Sequence, residues 1–347
     1  MAVAGCGSHA ARIIDRGGGI VTEASVLTEV EWHRALDETS TARVTIMPQG
    51  DCCERLGKVR SWRHSLAIFR DGILVWTGPI IGIEWRQGEV EVNAADISAW
   101  LSRRVPHDSI IFTNVDLMRA AEWLIADGFA PDDPGHAVQT VGEAGVYGSR
   151  EYTKDVGQTF DHLTDLAETG IDFTVVGNTI VLLPETHTAT VGRLSDADFP
   201  DGLVVAEDGA SLGTRWVVAG DEDGDVLGSA GGSHDYYGLL ERYVENTSVP
   251  DDASAAAAAA AKLRASLPVP VFVDSQQVTI SPLAAVEVNK LVPGWCLDIT
   301  SAETCRTVAQ RLKIVGLTVT ETGGDGDDPG GESVQVQVAV TGAEATS

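Results

Sequence analysis

Few strings in this sequence combine residue types able to do chemistry. Gly209-Ala210-Ser211-Leu212-Gly213 matches GxSxG, the turn that lifts a hydrolase serine between a strand and a helix so that backbone amides face the oxyanion. Here Ser211 is followed by Thr214 to Ala219, which is strand-like, so the string reads as a β-turn. Ser233-His234-Asp235 carries triad residue types, but sequence neighbours cannot form a relay that needs converging segments, and it reads as a polar loop. Asp221, Asp223 and Asp225 occupy the first three ligand positions of an EF-hand-like calcium loop. Glycine stands at Gly224 instead of after the third acid, and no glutamate closes the loop. Asp325, Asp327 and Asp328 share that weakness, so the acidic loops 221–225 and 325–328 read as solvated tips, with weak calcium binding as the alternative. Cys6, Cys52, Cys53, Cys296 and Cys305 are odd in number and lack zinc-ligand spacing, which leaves them as small buried apolar residues. The eight histidines are scattered, and no phosphate loop, dinucleotide fingerprint or HExxH occurs. Acid pairs for glycoside hydrolysis stay open, because fold rather than spacing sets that geometry. The expectation is no enzyme, no catalytic, cofactor-binding or metal-ligating residue, and no cofactor.

Charge narrows the partners. Among 347 residues, 51 acids against 24 Lys+Arg give a formal net charge of −27. Such a surface repels nucleic-acid phosphate and anionic lipid, so neither specific nucleic-acid binding nor stable membrane association is expected, while basic partners remain open. With 44% hydrophobic and 22% charged residues the chain is globular, not disordered. No apolar run reaches the ~20 residues of a transmembrane helix. Ala2 to Cys6 lacks the basic and apolar segments of a lipoprotein signal and reads as an ordinary N-terminus. Trp76, Trp85, Trp100, Trp123 and Trp216 fall on apolar faces and are expected in the core; Trp32, Trp62 and Trp295 are less constrained.

The positioning elements are mostly strands. Thr41 to Ile46 alternates apolar and polar residues. Leu66 to Phe69, the Asp71-Gly72 turn and Ile73 to Trp76 predict a tight hairpin, and Pro79 marks a corner or edge. Ile81, Ile83 and Trp85 share one face of the next strand, which turns at Gln87-Gly88 into Glu89 to Val92. Asp96 to Arg104 reads as a short helix. In the middle, Asn114 and Asp155 are placed to cap helices with the stripes Leu117, Ala121, Leu124, Ile125 and Val156, Phe160, Leu163, Ala167; Gly128 and Gly170 are their stops. A hairpin around Gly177-Asn178 follows. Strands resume at Leu203 and Thr214, and acidic, glycine-rich Gly220 to Ser233 reads as a loop. Asp251 or Asp252 caps an alanine helix from Ala253 to Ala265, which has little apolar area and suits a spacer or thin packing helix. Strands return from Val278, ending with Val334, Val336, Val338 and Val340 in alternation. The expected fold class is mainly β with an α+β insertion, two β-barrel-like domains flanking a mixed α+β domain. Residues 1–105 form the N-terminal β-barrel-like domain, 106–190 the α+β domain, and 191–347 the second β-barrel-like domain with the alanine-rich helix.

Three motifs carry a resemblance. The first is Trp76-Thr77-Gly78-Pro79-Ile80 with Val92-Asn93-Ala94-Ala95-Asp96-Ile97 through Arg104, a "W-x-G" corner and an "A-x-D" helix start. The second is Tyr237-Gly238-Leu239-Leu240-Glu241-Arg242, leading into the alanine helix. The third is Leu291-Val292-Pro293-Gly294-Trp295, followed by Arg311 to Thr320. In this order they resemble the tail-tip (baseplate) hub proteins, or minor tail proteins, of long-tailed bacteriophages. The resemblance implies a structural virion protein at the tail tip, assembled in the host cytoplasm. It implies a homotrimeric ring of pseudo-sixfold character that joins the tail tube to the central tip and lets DNA pass. Its partners would be further copies of itself and the distal tail, tape-measure and central tip proteins. The alternatives are a carbohydrate- or receptor-binding tail component and, after it, a cell-wall hydrolase. The hydrolase or adhesin sometimes fused to such hubs is not expected after the last strand. In a ring traversed by DNA, acids lining the lumen would keep the duplex from sticking.

Overall fold

The computed structural model describes residues 5–24, 27–47, 51–203, 205–207, 209–210, 212–220, 225–246, 249–267, 271–273, 278–302, 307–323 and 330–344. Strand-forming alternation dominates, and twelve strands hydrogen-bond into one sheet. Its path runs Thr190–Ser195, Cys296–Ser301, Val308–Thr322, Leu27–Ala35, Thr41–Ile46, Glu89–Ala95, Ile73–Arg86, His64–Arg70, His9–Asp15, Ile20–Ala24. Gly331–Glu344 pairs with Val308–Thr322 off this path, and Val278–Thr279 pairs with Gly331–Glu344.

Two strands change partner along their length. Ile73–Arg86 pairs with His64–Arg70 as far as Pro79 and with Glu89–Ala95 from Ile80 onward. Pro79, which has no N–H to offer a ladder, sits at that switch. Val308–Thr322 pairs with Cys296–Ser301 through Lys313 and with Leu27–Ala35 from Gly316. At the handover Ile314 exchanges hydrogen bonds with Gly294 and Trp295, both 2.8 Å, and the Val315 carbonyl accepts from Leu36 N at 3.0 Å. Strands from the first 105 residues therefore share one sheet and one core with Thr190–Ser195, Val278–Thr279, Cys296–Ser301, Val308–Thr322 and Gly331–Glu344; that core includes Trp32, Val44, Leu66, Leu297, Leu312 and Val334. Among the described residues no closed barrel forms, and the path ends openly at Thr190–Ser195 and Ile20–Ala24. A strand that satisfies both neighbours removes the edge that closure would otherwise have to cover.

The elements from Ile110–Asp116 to Thr179–Pro184, together with Ile97 and Leu101 from the segment before them, form a mixed layer with a second core, including Leu117, Leu124, Phe129, Leu163 and Phe173. Its helices, Leu117–Phe129 and Thr159–Ala167, start later than the sequence suggests. Asp116, not Asn114, caps the first, accepting from Met118 N at 2.9 Å; Asn114 lies in the strand Ile110–Asp116 at φ 49°. Gln158 precedes the second, and Asp155 turns at φ 61°, which leaves Val156 57% exposed instead of on the apolar stripe. Gly128 lies inside the first helix, where an added Cβ would meet Leu101 and Thr159 at 3.1 Å. Part of the expected loop 220–233 is also ordered as the strand Leu227–Gly231, while 221–224 lie outside the described residues.

The "W-x-G" and "A-x-D" motifs meet in space. A Cβ on Gly78 would lie 1.9 Å from the Ala95 carbonyl oxygen, so the corner passes backbone against backbone. Asp96, 1% exposed, accepts from Ser98 N at 2.8 Å and from Ser40 N at 2.6 Å, which starts the 3₁₀ helix Ile97–Arg103 and ties it to the 37–40 turn. Burial raises this carboxyl's pKa, against the opposing hydrogen bonds from Ser98 and Ser40. Gly78→Ala is expected to cost about 3 kcal/mol or more through overpacking against backbone. Gly82→Ala, whose Cβ would meet only Asn93 Cβ at 3.8 Å, should stay within about 0.5 kcal/mol. Chemical denaturation of both variants checks the contrast.

Candidate assembly surface

Among the described residues the chemistry-bearing strings build no common site. Ser211 lies outside the described residues, and the segment after it is the strand Arg215–Ala219, not a helix. His234 closes a tight turn, exchanging backbone hydrogen bonds with Gly238, both 2.8 Å. Asp221, Asp223, Asp325, Asp327, Asp328 and Cys305 also lie outside the described residues, as does the side chain of Cys52. Among the described residues no three His, Cys, Asp or Glu side chains are placed to hold a metal. Cys6 and Cys53 are exposed, contrary to expectation, while Cys296 is buried. His9, beside a cleft of about 460 Å³, has both ring nitrogens engaged: Nε2 accepts from Trp32 Nε1 at 3.0 Å, and Nδ1 lies 2.7 Å from Glu321 Oε2.

Trp85 departs from expectation. Trp32, left open by the sequence, is fully buried, whereas Trp85 is 50% exposed, as is Ile81 on the same strand face at 41%. Trp76 and Trp216 are buried as expected, and Trp100 and Trp123 pack half-buried against the second core. Trp62 is half-buried, edge-on to Trp100 with ring centroids 5.0 Å apart.

Interior cations tie distant segments together. Arg70 donates Nη2 to Glu332 Oε2 at 2.7 Å, with side chains 1% and 0% exposed, and Gly7 N donates to the same carboxylate. Burial works to raise the Glu332 pKa, but the Arg70 hydrogen bond, the Gly7 amide and the Arg70 charge together leave it lowered. Arg34 occupies the apolar phase of its strand with Val30 and Trp32. It donates to the Val75 carbonyl at 2.8 Å and the Leu291 carbonyl at 3.3 Å, over the Trp32 ring, and burial pushes its pKa down to about 10. The sequence reading passed over Arg34, although a cation in phase with core residues was its visible signal.

The alanine helix explains an uncovered surface. Asp252–Ser266, capped by Asp251 accepting from Ser254 N at 2.7 Å, packs on one face of a three-stranded sheet: Leu227–Gly231, Arg215–Ala219, Glu241–Glu245. A Cβ on Gly228 would lie 2.1 Å from Ala256 N, so the helix backbone sits against the strand, and alanine is what that distance admits. Trp216, Val218, Ala255, Ala258 and Ala259 fill this contact. The register puts Val217, Leu227 and Tyr243 on the opposite face, with Leu227 48% and Tyr243 58% exposed. At the Arg215 end of this sheet the 232–240 turn exposes Tyr236 (83%), Leu239 (53%) and Leu240 (39%). That turn is held in place: Thr214 Oγ1 accepts from Leu240 N at 2.8 Å and donates to the Gly238 carbonyl at 3.1 Å. It forms a preformed apolar knob next to the Arg215–Glu241 ion pair and has the character of a protein contact surface. It coincides with the second sequence motif.

No family model and no curated protein sequence matches this chain. Solved structures do. A 43 kDa tail protein of prophage MuSo2 from Shewanella oneidensis superposes with TM-score 0.64 at 12% identity, covering 97% of this chain and 100% of that one. A tail protein from Neisseria meningitidis MC58 gives 0.62 at 13%, covering 95% and 96%. A prophage tail protein from Listeria monocytogenes EGD-e gives 0.58 at 11%, covering 94% and 94%. This is the phage tail-protein fold. In this tail-protein fold the buried Arg70–Glu332 pair joins residues 262 apart, so the two β regions depend on it together. Glu332→Gln should cost about 3 kcal/mol, since it leaves Arg70 with Asp71, whose Oδ2 lies 3.3 Å from Nη1, as its remaining carboxylate. Because the Glu332 pKa is lowered by folding, its stabilisation is present above the unfolded value of about 4.3 and is lost as pH falls below it. Denaturation midpoints between pH 3 and 7 should show that acid loss in the wild type and a weaker one in Glu332→Gln.

Proposed function

We propose that this chain is a structural component of a phage tail tip: a homo-oligomeric, trimeric hub that joins the tail tube to the central tip and leaves a passage for DNA. The observation that carries this reading is the end-to-end correspondence with three tail proteins, each covered by at least 94% of its length. The Tyr236–Tyr243 knob supports it, because rigid exposed aromatic side chains supply contact area at little entropic cost. In this reading the partners are further copies of the chain and the distal tail, tape-measure and central tip proteins, and the acids not engaged in the interior line the lumen. No chemistry is assigned to Ser211 or to the acidic loops.

Light scattering at increasing concentration should give a mass three times the 36.6 kDa chain, and purified particles should contain it. A single-chain mass at high concentration together with absence from particles would overturn the reading. Replacing Tyr236 and Leu239 together by serine should weaken association at least ~10-fold. The stability of the separated chain should change by no more than about 0.5 kcal/mol.

A further inference from the structure

Three carboxylates and one ammonium meet where the mixed layer is clamped to the sheet. Asp37, on the turn after Leu27–Ala35, sits at φ 60°; its Oδ1 accepts from Phe173 N at 2.7 Å, and its own N–H donates to the Phe173 carbonyl at 2.8 Å. Thr174 Oγ1 donates to the Ala35 carbonyl at 2.8 Å. Asp172, one residue before Phe173 and 4% exposed, accepts from Lys313 Nζ at 2.6 Å. Lys313 also donates to the Glu185 carbonyl oxygen at 2.5 Å. The Pro293-Gly294 turn closes the joint: a Cβ on Gly294 would meet Leu183 at 3.0 Å and Leu36 at 3.4 Å.

The charges do not balance. Asp37, Asp172 and the Glu185 side chain face a single close ammonium, Lys313. Lys262 and Arg264 of the alanine helix act at longer range on Glu185. His187 adds no positive charge near neutrality, because burial and then Lys313 hold its pKa low, and burial keeps the Cys296 thiol neutral by raising it to about 11. Asp172 is buried and Asp37 and Glu185 are half-buried, and burial raises the pKa of all three, so ionising every one of them around a single ammonium is disfavoured.

The geometry points to a proton-operated latch, in which a proton on Asp37, next to the Phe173 clamp and the Asp172–Lys313 pair, keeps the mixed layer fastened to the sheet, and its loss sets like charges against one another across the joint. Asp37 is the group that holds the proton: burial, then the Asp172 charge, push it up to about 7. Asp172 is raised as well, chiefly by burial, against the pull of Lys313. The pair titrates jointly. A carboxyl raised by folding stabilises the clamped state fully below its unfolded value of about 3.9 and loses that stabilisation as pH rises toward the folded value. The latch therefore loosens between about pH 4 and 7 and changes no further above that.

The Phe173 amide, which donates to Asp37, reports the opening directly by hydrogen exchange on the full chain. Corrected for intrinsic exchange, its protection should fall ~10-fold per pH unit between pH 5 and 7 and then level off. Asp37→Asn keeps the acceptor for Phe173 N and should make the profile flat. A flat wild-type profile, or an Asp37→Asn profile that still falls with pH as the wild type does, would overturn the proposal.

Discussion

Every peptide group along the edge of Val308–Thr322 needs a hydrogen-bond partner, and no single neighbouring strand is long enough to supply them all. Cys296–Ser301 covers the first half and Leu27–Ala35 the second, with Gly294, Trp295 and Leu36 filling the two positions between. This division of one edge draws the first and last parts of the chain into a common sheet. It also fixes where the mixed layer attaches, since Asp37 and Lys313 flank the handover. The core around Trp32 forms on one side of that arrangement.

At the junctions the molecule uses buried ions as well as apolar side chains. Arg34, Arg70 and Lys313 each reach carbonyls or carboxylates on segments far away in sequence. A misplaced apolar contact loses a fraction of its area, but a misplaced buried cation loses its partners altogether, so such groups penalise wrong registers strongly. The same property makes the joint at Asp172 responsive to protons, because a site balanced around one ammonium has little margin for an additional negative charge.

The surface follows a different logic. At a net charge of −27 the long-range field of one chain repels another of the same kind, so any contact between copies would have to offset that repulsion. The 232–243 region exposes Tyr236, Leu239 and Tyr243 beside a small sheet whose other face is occupied by a helix of alanine. The helix is thin because the strand backbone at Gly228 leaves no room for more, so the low-complexity run is a packing requirement.

Local structure was largely legible in the sequence. Period-two alternation and the Asp71-Gly72 turn identify the 64–86 hairpin, apolar stripes identify both middle helices, and the Asp251 cap with its alanine run identifies the last helix. GxSxG was correctly read as lacking a helix after it. Tertiary structure decided what covers each face. Alternation says that Ile81 and Trp85 share an apolar side but not that this side is left partly open to solvent, nor that Trp32 is fully buried. Arg70 and Glu332, Asp172 and Lys313, and Gly78 and Ala95 gain their meaning only when folding brings them together. Sequence patterns record the periodicity of a single element, whereas pairing across 262 residues or across a backbone contact leaves no local trace.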